Sequence, residues 1–184
     1  MRLYLVRHPQ PLVSAGMCYG SSDVDVAAAE RDRVCATLLD AWPKDAALYS
    51  SPLRRCADLA QQLSASMDEQ TIIFDARLAE MDFGSWELRA WNDIARDEIE
   101  AWVQDMVGYR PGGGESVLQI AQRVRAFYDE LLQTGAQSVA IICHAGTMRM
   151  LLACRRGLPL IETALHVART SHKIAYGELV LLEI

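Results

Sequence analysis

The chain has 184 residues, 51% of them hydrophobic and 23% charged, with a net charge of -6 at pH 7. That length suits a single domain with a sizeable core, and the composition is that of a globular protein. The acidic balance argues against a general nucleic-acid surface, and no apolar stretch reaches the ~20 residues that a membrane span needs.

The first element is a strand over Arg2 to Val6, short and apolar on both faces. It ends abruptly in Arg7 and His8, with Pro9 and Pro11 close behind. "SAGMCYGSSD" is a turn-rich loop. Val24 to Trp42 carries apolar residues at helical spacing and stops before Pro43. "AALYS" is a second buried strand. In "SPLRRCADLAQQLSAS", Ser51 is the expected N-cap and Pro52 the first helical residue. "TIIFD" is a third strand, and "LAEMDFGSWE" an irregular connection.

A further helix is expected near Asn92 to Met106, ended by the breaker "GYRPGGGES". A long helix then runs from Glu115 or Ser116 to about Leu132, with Val117, Ile120, Ala121, Val124 and Phe127 on one face. "SVAIICH" is a fourth strand and "AGTMRMLLACRRG" a helix closed by Gly157. The tail from Thr163 reads as two or three strands with a turn at Tyr176-Gly177, which makes His166 and His172 structural tail residues. With no repeat, low-complexity segment or linker, residues 1–184 form one domain.

Short buried strands alternating with helices imply an α/β fold, three layers α/β/α around a mostly parallel central sheet. Ligands in such sheets sit beyond the carboxyl ends of the strands. His8, His144 and Ser51 each occupy that place. The five cysteines are irregularly spaced with no C-x-x-C pair, which reads as free thiols in a reducing compartment. The N-terminus has no basic start followed by a long apolar middle, so a cytoplasmic protein is expected. Cys143 precedes His144 and is weighed as a nucleophile, but it ends an apolar run and reads as buried.

Each chemical piece alone is ordinary. A histidine after a strand is more often structural, and "PGGGES" needs only to be a turn into an N-cap. Together they fit phosphoryl transfer. A phosphomonoester dianion needs several positive donors, and the planar fork of arginine supplies them in pairs. A neutral imidazole can attack phosphorus, and a carboxylic acid can protonate the leaving alkoxide. Two histidines, two arginines and one glutamate meet these needs with no metal and no cofactor. No P-loop or H-E-x-x-H run occurs.

The segments "LYLVRHPQP", "SSPLRRCADLA", "LAEMDFGSWE", "PGGGES" and "VAIICHAGTMR" come in the order found in the histidine phosphatase superfamily. The resemblance covers nearly the whole chain and implies a phosphoglycerate-mutase-like fold. It implies that His8 is the nucleophile that becomes phosphorylated, with Arg7 and Arg55 binding the phosphate. Glu80 would protonate the leaving group and then activate water. His144 would donate to the phosphoryl oxygens, with Ala145 beside it among the substrate-binding residues. Ser14 lies where many relatives have a polar phosphate contact. Most relatives have glycine after the nucleophilic histidine; Pro9 removes that backbone donor and stiffens the loop.

The chain has little room for the insertion of the mutases, which favours a compact phosphatase. "AEMDFGSWELRAWNDI" and the "RHPQP…CYGSSD" opening resemble the α-ribazole phosphatases of cobalamin biosynthesis. That branch implies α-ribazole 5'-phosphate, or the corresponding cobalamin phosphate, as substrate. Trp86, Leu88, Trp91 and Tyr109 would then form an aromatic wall for a flat ring, with Trp102 more readily a helix-packing residue. The competing readings are a broad-specificity or sugar-phosphate phosphatase, a phosphoglycerate mutase-like enzyme and, from another class, a non-catalytic phospho-ligand module. The expected partner is a small phosphomonoester, with no nucleic acid and no membrane; a homodimer is left open.

Overall fold

The apolar run after Met1 forms β1 (Arg2–Arg7), the fourth strand of a five-stranded sheet in a computed structural model that describes residues 1–43, 45–67 and 69–184. The other strands are β2 (Ala47–Ser50), β3 (Ile72–Phe74), β4 (Ser138–Cys143) and β5 (Leu179–Glu183). Their order is β3-β2-β4-β1-β5. The β1–β4, β2–β4 and β2–β3 pairs are parallel, and β5 closes the edge antiparallel to β1.

Both faces of the sheet's centre are covered, which is why β4 and the middle of β1 are apolar. Ala140 and Ile142 of β4 face α1 (Ala28–Leu39) and α2 (Arg54–Ala65), packing with Val34, Leu38, Leu59 and Leu63. Val139, Ile141 and Cys143 face the opposite layer of α4 (Val117–Gln133), α5 (Ala145–Cys154) and α6 (Leu160–Arg169). The predicted apolar face of α4 is buried in that layer. Ser116 is its N-cap, in a capping box with Gln119. A shorter helix, α3 (Arg96–Gln104), stands apart with the aromatic segment before it.

Four boundaries differ from the sequence reading. The first helix starts at Ala28, because Val26 is paired instead with Pro11 across the loop after β1. The helix after β2 starts at Arg54 rather than Pro52. The Ser51 amide continues the sheet by donating to the Ile142 carbonyl, and the Ser51 hydroxyl accepts from the Leu53 amide. The segment from Asn92 divides into a short 3-10 turn at Trp91–Asp93 and α3. The tail holds one helix and one strand. Thr163, Ala164 and Val167 face the core at helical spacing, with Glu162 in the first turn and Arg169 in the last complementing the helix dipole. The turn at Tyr176-Gly177 is where the sequence puts it.

Candidate active site

Strand β1 delivers Arg7 and His8 to a cavity of about 530 Å³ at the carboxyl ends of the parallel strands. The backbone there is fixed from two sides. The His8 amide donates to the Cys143 carbonyl at the end of β4, and the Gly177 amide donates to the Arg7 and His8 carbonyls. His8 is 2% exposed. Its Nδ1 lies 2.7 Å from the Pro9 carbonyl oxygen. A carbonyl only accepts, so Nδ1 carries the proton and Nε2 is left with its lone pair. Pro9, which cannot donate a backbone N–H, thus supplies the acceptor that sets the tautomer.

The His8 imidazole is held neutral. Burial lowers its pKa first, the Arg55 charge second, and Arg7 adds a smaller push in the same direction, together bringing it to about 3 against the raising effect of the Pro9 bond. Arg7 donates to the Ile174 carbonyl at 2.6 Å, and its guanidinium lies 3.8 Å from the centre of the Tyr176 ring. Its Nε is buried with no hydrogen-bond partner among the described residues. Arg7 lines the cavity, where its charge suits an anion.

Arg55, on the first turn of α2, lines the same cavity and is 1% exposed. It donates through Nε to His144 Nδ1 at 3.2 Å, and through its two terminal nitrogens to the Ser22 and Gly20 carbonyls. No carboxylate pairs with it among the described residues. Arg54, its neighbour, turns outward to Asp25.

His144 sits behind this arginine rather than on the cavity wall. It is fully buried, with its ring 5.1 Å from that of His8. Because arginine only donates, Nδ1 of His144 accepts; Nε2 carries the proton and faces the Ser51 hydroxyl at 2.8 Å. Both nitrogens are therefore engaged within the protein. Burial and the Arg55 charge keep this ring neutral as well. In this structure His144 braces Arg55 and faces Ser51; the donor role toward phosphate is what the resemblance implies.

Glu80 lines the cavity from the connection after β3. Its carboxylate accepts from the Gly146 amide at 3.0 Å and from its own neighbour Met81 at 3.1 Å. A Cβ at position 146 would lie 2.4 Å from Glu80 Oε1, so the glycine makes room for the carboxylate. The first turn of α5 therefore serves Glu80 through the Gly146 amide. Arg123 and Thr147, both missed in the sequence, hold this segment: Arg123 donates to the Arg77, Ala79 and Glu80 carbonyls and pairs with Glu115, and Thr147 donates to Ala79. "PGGGES" is likewise more than a turn. A Cβ on Gly84 would strike the Gly112 carbonyl at 2.2 Å, and one on Gly112 the Phe83 carbonyl at 2.3 Å. Only glycines permit this backbone seam, which sets the angle of the segment after Glu80.

Beyond these groups the wall is largely apolar, with Tyr19, Arg149 and His172 as its polar members. Met17, Met81, Phe83, Trp91, Trp102 and Met106 line it. Trp91 and Trp102 lie nearly parallel, 8° apart, with ring centres at 6.2 Å. Trp102 is thus part of the wall, contrary to the packing role favoured from sequence. Trp86 is fully buried behind it, bonded to Glu98; Tyr109 packs on Trp86, and Leu88 is exposed. Those three do not line the cavity. Ala145 does, whereas Ser14 is exposed and away from the wall. His172 reaches the rim, and His166 lies on α6 against Arg156. Cys143 is buried, and burial pushes its thiol well up, which leaves it a poor nucleophile.

The chain matches the family model described as histidine phosphatase superfamily (branch 1) over residues 3–176. It is 30% identical over 166 residues to an adenosylcobalamin/alpha-ribazole phosphatase of Escherichia coli K12, covering 86% of this chain and 81% of that protein. It is 27% identical over 168 residues to phosphoserine phosphatase 1 of Hydrogenobacter thermophilus, covering 87% and 78%. Among solved structures, the alpha-ribazole phosphatase of Shigella flexneri superposes with a TM-score of 0.83 at 28% identity, over all of this chain and 91% of that one. The fold is phosphoglycerate-mutase-like. No helix is long and apolar enough to cross a membrane among the described residues.

Proposed function

The chain belongs to the histidine phosphatase superfamily, and from that premise we propose that it hydrolyses α-ribazole 5'-phosphate, or the corresponding cobalamin phosphate, through a phosphohistidine. The phosphate would lie between the guanidinium groups of Arg7 and Arg55, which line the same cavity. His8 Nε2 attacks phosphorus in line, forming the P–N bond as the ester P–O bond breaks. Glu80 gives its proton to the departing alkoxide. In the second half, water attacks phosphorus, Glu80 takes its proton, and the P–N bond breaks to restore neutral His8. This part of the reading needs no metal and no cofactor.

The observation that carries the substrate is the shape of the other end. A cationic pocket opens directly onto a wall of methionines and stacked tryptophans. Such a wall suits a flat, largely apolar leaving group such as a benzimidazole nucleoside. The α-ribazole phosphatases of Escherichia coli and Shigella flexneri, to which the chain is similar, support the same choice. Five buried free cysteines support a reducing, cytoplasmic setting.

The test is a comparison of kcat/KM for α-ribazole 5'-phosphate, phosphoserine and 3-phosphoglycerate. The reading expects the first to exceed the others by at least about 100-fold, the scale on which pocket contacts discriminate. Equal values would make the protein a broad-specificity phosphatase, and preference for either small acid would overturn the substrate.

A further inference from the structure

Glu87 does not line the cavity, yet its carboxylate gathers the donors of a whole loop. It accepts from the amides of Gly20 and Ser21 at 2.9 Å and of Ser22 at 3.2 Å. It also accepts from the Phe83 amide at 3.0 Å and from the Ser22 hydroxyl at 2.6 Å. An ionised carboxylate is acceptor-only, so it can satisfy such a crowd of donors; a neutral amide in its place would turn N–H against N–H. Burial alone would raise the Glu87 carboxyl, but these bonds outweigh it and hold the group below its usual range.

The same loop faces the other way with its carbonyls. Gly20 and Ser22 accept from the two terminal nitrogens of Arg55. The loop also sits hard against the Glu80 segment: a Cβ on Gly20 would lie 1.9 Å from the Met81 carbonyl. Neutral carbonyls can fix the plane of a guanidinium without cancelling its charge, which a directly paired carboxylate would do. The negative charge is kept one step away, on the amide side of the loop.

We propose that Glu87 is a positioning residue for phosphate binding: by fastening the amides of residues 20–22 it sets the carbonyls that aim Arg55. The inference rests on the reading of Arg55 as a phosphate ligand. It predicts that removing the Glu87 charge weakens the binding of a phosphate-like anion only while Arg55 is present.

The experiment measures orthovanadate binding by quenching of tryptophan fluorescence, since Trp91 and Trp102 line the same cavity. Glu87→Gln is made in the native and in the Arg55→Ala protein. In the native background it weakens vanadate binding about tenfold, within the range for coupled neighbours, and in the Arg55→Ala background by less than about twofold. Equal losses in both backgrounds mean a general structural role and overturn the proposal, as does unchanged affinity in the native background. If Glu87→Gln fails to fold, Ser22→Ala, which removes one bond to the carboxylate, carries the same comparison with a loss of about threefold. Full vanadate affinity in folded Ser22→Ala overturns the proposal. An Arg55→Ala protein that binds vanadate normally overturns the phosphate role of Arg55 itself. A weakened Arg55→Ala with additive Glu87→Gln overturns only the role of Glu87.

Discussion

The two ends of the cavity are built on different principles. At the phosphate end, His8, Arg7, Arg55 and Glu80 each have directional partners: a carbonyl on Nδ1, a tyrosine face, two loop carbonyls, a glycine amide. At the other end, methionines and tryptophans are held by packing, with no bond that fixes a particular partner. Hydrogen bonds fix position to a few tenths of an ångström, which in-line displacement requires. Packed thioethers and rings adapt to shape, which lets one chemistry serve different leaving groups. The contrast predicts that changes at the first end act on the chemical step and depend on the ester only through the acidity of its leaving group, while changes at the second act on KM and depend on the shape of the ester.

The largest effect that would sharpen this contrast is at Glu80. Glu80→Gln keeps the shape but cannot deliver a proton. It should lower kcat by about 10²–10³-fold for an alkyl phosphate and far less for p-nitrophenyl phosphate, whose leaving group needs no acid. Equal losses for both esters would remove Glu80 from the proton path. Arg7→Ala comes next, with about 2.7–4 kcal/mol lost in kcat/KM for every ester, the typical cost of one oriented donor. A loss confined to the aromatic ester would break the division between the two ends.

At the apolar end, Trp102→Leu should raise KM for α-ribazole 5'-phosphate about fivefold to tenfold and leave KM for methyl phosphate unchanged. A fall in kcat for both would mean that the wall also shapes the phosphate end. A separate effect is on stability. The folded-state pKa of His8 is about 3 against an ordinary 6.5, so the folded protein binds fewer protons than the unfolded one between these values. Its contribution is full above pH 6.5 and declines as pH falls toward 3. Urea midpoints between pH 7 and pH 4 should fall less in His8→Ala than in the native protein; parallel declines would show that His8 is not held neutral.

The same division decides what could be read from the sequence. Arg7, His8, Arg55, Glu80 and His144 stood out because the segments that carry them come in the order found in the histidine phosphatase superfamily. Their partners did not. That Gly146 serves Glu80, that Arg123 holds the backbone of residues 77–80, and that Tyr176 stacks on Arg7 depend on elements meeting in space. Trp102 and Trp86 exchanged roles for a similar reason: both are tryptophans in irregular or short helical segments, and periodicity does not say which faces a cavity. The tail was misread because Leu160 to Arg169 mixes β-branched residues with a helical stripe, and packing on α4 and α5 decided for the helix. The parallel sheet itself was legible, since strands buried on both faces are short apolar runs.

Phosphoenzyme trapping at His8 tests the central claim most directly. Protein quenched during turnover of a ³²P-labelled ester should carry label that is stable to base and lost in acid, and His8→Ala should carry none while losing turnover by about 10⁵-fold or more, the scale of a missing nucleophile. Label that persists in His8→Ala, or turnover that survives there undiminished, would contradict it.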